Sequence, residues 1–219
     1  FNLKLSPAVP WSAVIALGLT GLAFAWLGGK WAPARTQAAR KSYLRAAPLR
    51  PGPFALAVTA GTLGIAALAG FWIVLFQLVK MPGNSADFSR LPLLTVAVSL
   101  ATAAVIGAVF EEAGFRGYFQ GTLERYLPAP FAILICAIVM APEHAATQGF
   151  VWPTMLFYLV VDVMLGASAA LTKSILPGIV VHAIGLAVFF AIVWPADKTR
   201  ALVSQSGADV WFWLHAGQA

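Results

Sequence analysis

The run LPLLTVAVSLATAAVIGAVF, residues 91–110, holds no charged side chain, and EEAGFRGYFQ, residues 111–120, follows it without a break. About 20 mostly apolar residues are what an α-helix needs to cross a hydrocarbon core about 30 Å thick. Two carboxylates and a guanidinium at the end of such a run need a physical reason. An ionisable group at membrane depth costs roughly 2.5 to 3.5 kcal/mol on insertion scales, so it is read as functional by default. The stretch predicts a membrane-spanning helix with acid/base chemistry at one end.

The rest of the chain agrees. Of 219 residues, 60% are apolar and 10% charged, the composition of a membrane protein. Four more runs approach or exceed a span: Val9 to Leu27, Phe54 to Val79, Gly149 to Leu171 and Ser174 to Pro195. Ala129 to Pro142 is shorter and needs its flanks. None shows the period-two alternation of a β-barrel strand, so the predicted fold is all-α, a polytopic transmembrane bundle of about six spans. Residues 1–92 read as an N-terminal transmembrane hairpin with a basic loop, 93–195 as the core, and 196–219 as an interfacial tail carrying Trp211, Phe212 and Trp213. Prolines mark the helix boundaries, at Pro48, Pro51 and Pro53, in an outer loop Pro82-Gly83-Asn84, and at Pro128 and Pro130.

The net charge of +6 does not point to nucleic acid. Lys30, Arg35, Arg40, Lys41, Arg45 and Arg50 lie between the first two apolar runs with no Asp or Glu among them. By the positive-inside rule residues 30–51 are cytoplasmic, the expected membrane is a bacterial inner membrane, and the expected partners are membrane lipids with anionic headgroups. Ala23-Phe24-Ala25 resembles a signal cleavage site, but Lys4 is the only charge before it, so the first run reads as a retained helix. The single cysteine, Cys136, lies within an apolar run; it excludes an intrachain disulfide and a cysteine-based zinc site, and reads as a small core residue.

Phe115, Tyr118, Phe119, Leu123 and Leu127 alternate with polar residues at helical spacing, so the third helix is expected to continue past Arg116 and to bury its carboxylates by roughly 10 to 20 Å. Glu112 and Arg116, four apart, share a face and read as an ion pair. Glu111 points about 100° away and has no cation three or four residues off on its own helix. An unpaired carboxylate in apolar surroundings is what a general base needs. Two histidines accompany it, His144 after Pro142 and His182 eight residues beyond Ser174, whereas His215 is in the tail. A Glu and two His can hold a divalent metal such as zinc whose bound water attacks, or can activate water directly. Spacing does not choose between them, and no His-Glu-x-x-His motif is present.

Phe110 to Gln120, with His144 and Ser174 to Ala183, resembles the CAAX protease and bacteriocin-processing (CPBP, or Abi) family of intramembrane proteases, over roughly Thr95 to Val193. The resemblance implies a helical membrane core in which Glu111 and His144 activate water and His182 helps bind the oxyanion, with Glu112 and Arg116 as supports. Type II prenyl-protein endopeptidases are similar. Two positions depart from the pattern: Met140 stands for a usual Phe, and Leu186 stands where the third motif usually ends in Asn or another polar residue. Loss of one oxyanion donor costs about 10² to 10³ in rate. Asp162, in the middle of the fifth run, is the candidate substitute polar group. The implied function is an intramembrane endopeptidase acting on a peptide or membrane-protein substrate. The alternative is a non-catalytic scaffold subunit binding another membrane protein or a pigment-lipid assembly, and a third class is a small transporter relaying protons through Glu111 and Asp162.

Overall fold

A computed structural model describes residues 6–31, 36–81, 88–197 and 199–219, with residues 147 and 148 described for backbone only. Lys4, Arg35 and the Pro82-Gly83-Asn84 turn lie outside the described residues. These residues form helices and no strand: α1 (Trp11–Leu27), α2 (Gln37–Tyr43), α3 (Pro51–Leu78), α4 (Leu93–Leu123), α5 (Ala129–Gln148), α6 (Trp152–Thr172), α7 (Leu176–Asp197), α8 (Val203–Ser206) and α9 (Val210–Gln218). Five of them, α3 to α7, are long and apolar enough to cross a membrane, and α1 is a shorter apolar helix of 17 residues.

Proline starts each of these six. Pro10, Pro92 and Pro128 stand just before α1, α4 and α5, while Pro51, Pro153 and Pro177 occupy the first turns of α3, α6 and α7. The first-turn N–H groups have no partner inside a helix, so a residue without one does no harm there, and its fixed φ suits the first turn. Pro142 behaves differently, because α5 runs through it to Gln148. A chain in hydrocarbon has no water to take up its backbone groups, so keeping the helix and losing one hydrogen bond is the better solution. His144 therefore sits inside α5, not beyond its end.

The third helix does continue past Phe110, as its periodicity predicts, but with a change of winding. Glu112–Gln120 is π-helical, with the α-helical Leu93–Glu111 before it and Gly121–Leu123 after it. Such wide turns are rare and concentrate at functional sites. Glu111 thus lies at the junction, 12 residues before Leu123.

In the packing, α5 and α6 form an antiparallel pair, α7 lies against α3 and α4, and α1 covers the other side of α4. The core centres on aromatic rings: Trp72 of α3 meets Phe157 of α6 edge-on at 4.8 Å, and Phe157 meets Phe189 of α7 at 5.4 Å. The Trp72 indole N–H donates to Asp197 at 2.9 Å, which satisfies a polar atom in this otherwise apolar layer. Cys136 is buried as expected. The tail returns to the bundle, where α9 begins with Asp209 capping the Phe212 N–H at 2.8 Å and lies against α3, its Gln218 amide donating to the Ala66 carbonyl.

The stretch between α2 and α3 works as a strap at the basic end. The Ile175 N–H donates to the Arg45 carbonyl at 3.0 Å, and the Ser174 hydroxyl donates to the Ala47 carbonyl at 2.7 Å. The Leu44 carbonyl passes over Gly117 of the π segment, where a Cβ would stand 2.5 Å from its oxygen; only glycine admits that crossing. Arg45 then grips Glu124 with two hydrogen bonds, 2.7 and 3.1 Å, while Gln120 donates to the same carboxylate at 2.9 Å. Loop and helix are thus joined through both backbone and charge.

Candidate active site

Three helices bring Glu111, His144 and His182 together. One oxygen of Glu111, Oε2, lies 3.7 Å from His144 Nε2 on α5 and 3.5 Å from His182 Nε2 on α7. Both separations exceed a hydrogen bond, and both fall within the reach of one bridging water. The same oxygen is shielded and meets no hydrogen-bond partner among the described residues. Glu111 lines a cavity of about 410 Å³, whose other lining residues include Phe157, Phe189, Phe190 and Trp194. The geometry is that of a polar triad set in the wall of an apolar chamber.

Beneath the triad runs a fully enclosed chain of charge. His182 Nδ1 lies 3.0 Å from Glu112 Oε1, Arg116 Nη1 lies 3.4 Å from that oxygen, and Arg116 Nη2 donates to Asp162 Oδ1 at 2.5 Å. Glu112 and Arg116 have no exposed side-chain surface at all. Taking charges this far from water is tolerated only when they are paired and well hydrogen-bonded. Because Glu112 accepts only as a carboxylate, its contact puts the proton of His182 on Nδ1 and leaves Nε2 toward Glu111. The expected Glu112–Arg116 pair is therefore present, and the same carboxylate also contacts an imidazole.

Asp162 does not line the cavity. It is the second anion for Arg116, which accounts for a carboxylate in the middle of a spanning helix. Leu186 does line it, one turn beyond His182. The position of the third motif's polar residue is thus occupied by a side chain with no donor.

Three contributors were not visible in the sequence pattern. Tyr158 of α6 stacks on the His144 ring, centroids 4.6 Å apart and planes 20° apart, and lines the cavity. Glu143, beside His144, also lines it and is exposed. Gly178 leaves room for Glu112, since a Cβ there would lie 2.7 Å from Oε2. Gly178 precedes His182 by four residues on one helix, and that i, i+4 spacing is the signal that could have found it. No group of three or more His, Cys, Asp or Glu among the described residues is placed to hold a metal ion.

The family described as Rce1-like, type II CAAX prenyl endopeptidase Rce1-like, matches residues 92–188. That segment holds Glu111, Glu112, Arg116, His144 and His182, and the resemblance read from these motifs is borne out at the level of family. No curated protein and no solved structure matches the chain. Residues 92–188 of this multi-pass membrane protein are similar to the Rce1-like family, which supports, at family level, a CAAX-protease-like intramembrane protease.

Proposed function

We propose that the chain is an intramembrane endopeptidase in which Glu111 and His144 activate a water molecule held between them. The observation that carries this reading is the position of Glu111 Oε2, within 3.7 Å of two imidazoles on other helices, on a residue that lines an apolar chamber. A carboxylate brought this deep without a cation of its own is suited to take a proton from water. The water oxygen bonds to the scissile carbonyl carbon, and its proton passes to the Glu111–His144 pair. When the C–N bond breaks, the pair returns that proton to the leaving amine. His182, its Nδ1 side fixed by Glu112, presents its Nε2 side to the same space and helps to bind the developing oxyanion. Glu112, Arg116 and Asp162 act through His182 and do not touch the substrate.

The substrate is a peptide bond presented from the lipid or from the basic-loop side, which the positive-inside rule makes cytoplasmic, in a bacterial inner membrane. The test is turnover in proteoliposomes against membrane-tethered peptides, a prenylated C-terminal peptide among them. Glu111→Ala and His144→Ala are expected to lower kcat/KM by at least about 10² each. Turnover equal to that of the unmodified chain in either variant rejects the assignment.

Leu186 favours a second reading, a scaffold that keeps the fold and binds another membrane protein. Co-purification of a stoichiometric partner together with absence of hydrolysis across the peptide panel supports it; robust turnover by the isolated chain removes it.

A further inference from the structure

The helix that carries the acidic pair has a second worked face. Opposite the cavity, Phe110, Ala113 and Gly114 line an apolar groove of about 300 Å³ whose other wall is α1, through Thr20, Ala23, Phe24 and Trp26. That volume holds about ten water-sized groups at about 30 Å³ each, enough for a length of hydrocarbon chain. Gly114 opens directly into it, since a Cβ there would meet nothing within 4 Å. Phe110, Ala113 and Gly114 thus line one groove together, and Glu111, Glu112 and Arg116 are not part of its wall.

The basic end of this groove is built from aromatic rings held by cations. Tyr118 lines the groove and meets Tyr43 at 5.5 Å, and the Arg125 guanidinium lies over Tyr43 at 4.9 Å. Trp26, on the opposite wall, lies under the Arg40 guanidinium at 4.4 Å, and Arg40 also donates to the carbonyls of Trp26, Lys30 and Trp31. Lys30, Lys41 and Arg125 are exposed at this end. Among the described residues the carboxylate next to them outside the spans is Glu124, and it is already engaged by Arg45 and Lys173. An apolar slot closed at one end by uncompensated positive charge is complementary to a molecule with a hydrocarbon tail and an anionic head.

From this complementarity we infer that the groove between α1 and α4 is a binding site for an anionic phospholipid, its acyl chain along Phe110 and Gly114 and its headgroup among Lys30, Lys41 and Arg125. Occupancy fills the side of α4 that faces away from the cavity and so braces the segment bearing Glu111.

The full chain is reconstituted with phosphatidylglycerol or phosphatidylcholine carrying the same diazirine-bearing acyl chain at equal mole fraction. After photolysis, adducts are mapped by peptide mass spectrometry. Adducts on Trp26, Phe110 and Tyr118 are expected at least about tenfold more often from phosphatidylglycerol, since each basic residue near the surface adds to the attraction for anionic lipid. Ala23→Trp, which fills the groove from α1, is expected to abolish them, and Lys41→Gln with Arg125→Gln to bring the two lipids close to parity. Gly114→Leu fills the same space from α4 and replaces Ala23→Trp should that variant fail to insert. Equal yields from the two headgroups in the unmodified chain, or yields unchanged when the groove is filled, overturn the inference and leave an ordinary lipid-facing surface.

Discussion

Gly178 and Glu112 face each other across α7 and α4 so closely that a Cβ on the first would stand 2.7 Å from a carboxylate oxygen of the second. Glu112 has little freedom to yield, because its other oxygen is held by His182 and Arg116. Gly178→Ala is therefore expected to move the carboxylate and release His182. Overpacking of this kind costs about 1 to 3 kcal/mol. The melting temperature should fall, and kcat should drop about tenfold or more while KM changes little. An unchanged kcat would show that His182 does not depend on Glu112.

Asp162 completes the charge balance around Arg116. Removing one member of a buried ion pair costs about 3 to 5 kcal/mol, so Asp162→Ala should be strongly destabilised, and Asp162→Asn, which keeps a hydrogen-bonding oxygen, less so. Thermal unfolding in nanodiscs gives the order. A transporter that moves protons through this carboxylate would instead lose proton flux in Asp162→Asn with its melting temperature intact.

The ring of Tyr158 lies flat against His144. Aromatic pairs contribute about 0.5 to 1.5 kcal/mol beyond their burial, which corresponds to roughly twofold to thirteenfold in rate. Tyr158→Leu should lower kcat by that factor and Tyr158→Phe, which keeps the stack, should not. Equal loss in both would assign the effect to the hydroxyl group.

Leu186 offers the most direct separation of enzyme from scaffold. Leu186→Asn puts a donor into the cavity wall where the family's third motif has one, and an oxyanion donor contributes about 10² to 10³ in rate. Turnover of a tethered peptide is expected to rise toward that factor. A folded variant with no gain would mean that another group already fills this role.

Glu124 supplies a pH dependence outside the spans. Burial alone would raise its pKa, but hydrogen bonds from Arg45 and Gln120 and the charges of Arg45 and Lys173 outweigh it and hold the carboxyl below its ordinary value. A group whose pKa is lower folded than unfolded stabilises above the unfolded value and loses that contribution as pH falls through the folded one. The strap should therefore be firm at neutral pH and loosen in acid below the ordinary carboxylate range. Melting curves between pH 7 and about pH 3 should converge for the unmodified chain and Glu124→Gln at the acid end.

How far the sequence could be read depended on the kind of information each feature carries. The spans were legible because hydrocarbon thickness sets their length, and α4 was seen to pass Phe110 because Phe115, Tyr118 and Phe119 kept helical spacing. The meeting of Glu111, His144 and His182 has a sequence signal in scarcity, since few ionisable residues stand at membrane depth. The π winding of 112–120 left no mark in the apolar pattern, since it is a choice of backbone hydrogen bonds. The passage of α5 through Pro142 was hidden for the opposite reason: in water that proline would end the helix, and only the lack of an alternative partner keeps it going. Tyr158 and Gly178 are ordinary residues of a spanning helix until their neighbours are known.

The strap gives the ends of the matched segment a practical meaning. A fragment starting at residue 92 would retain every ionisable residue of the cavity, yet Gly117 would lose its cover and Ser174 and Ile175 their backbone partners. The helices bearing the acid and the imidazole would then no longer be stapled to each other at the basic end. Excision along the boundary of sequence similarity would sever a brace that the similarity itself does not include.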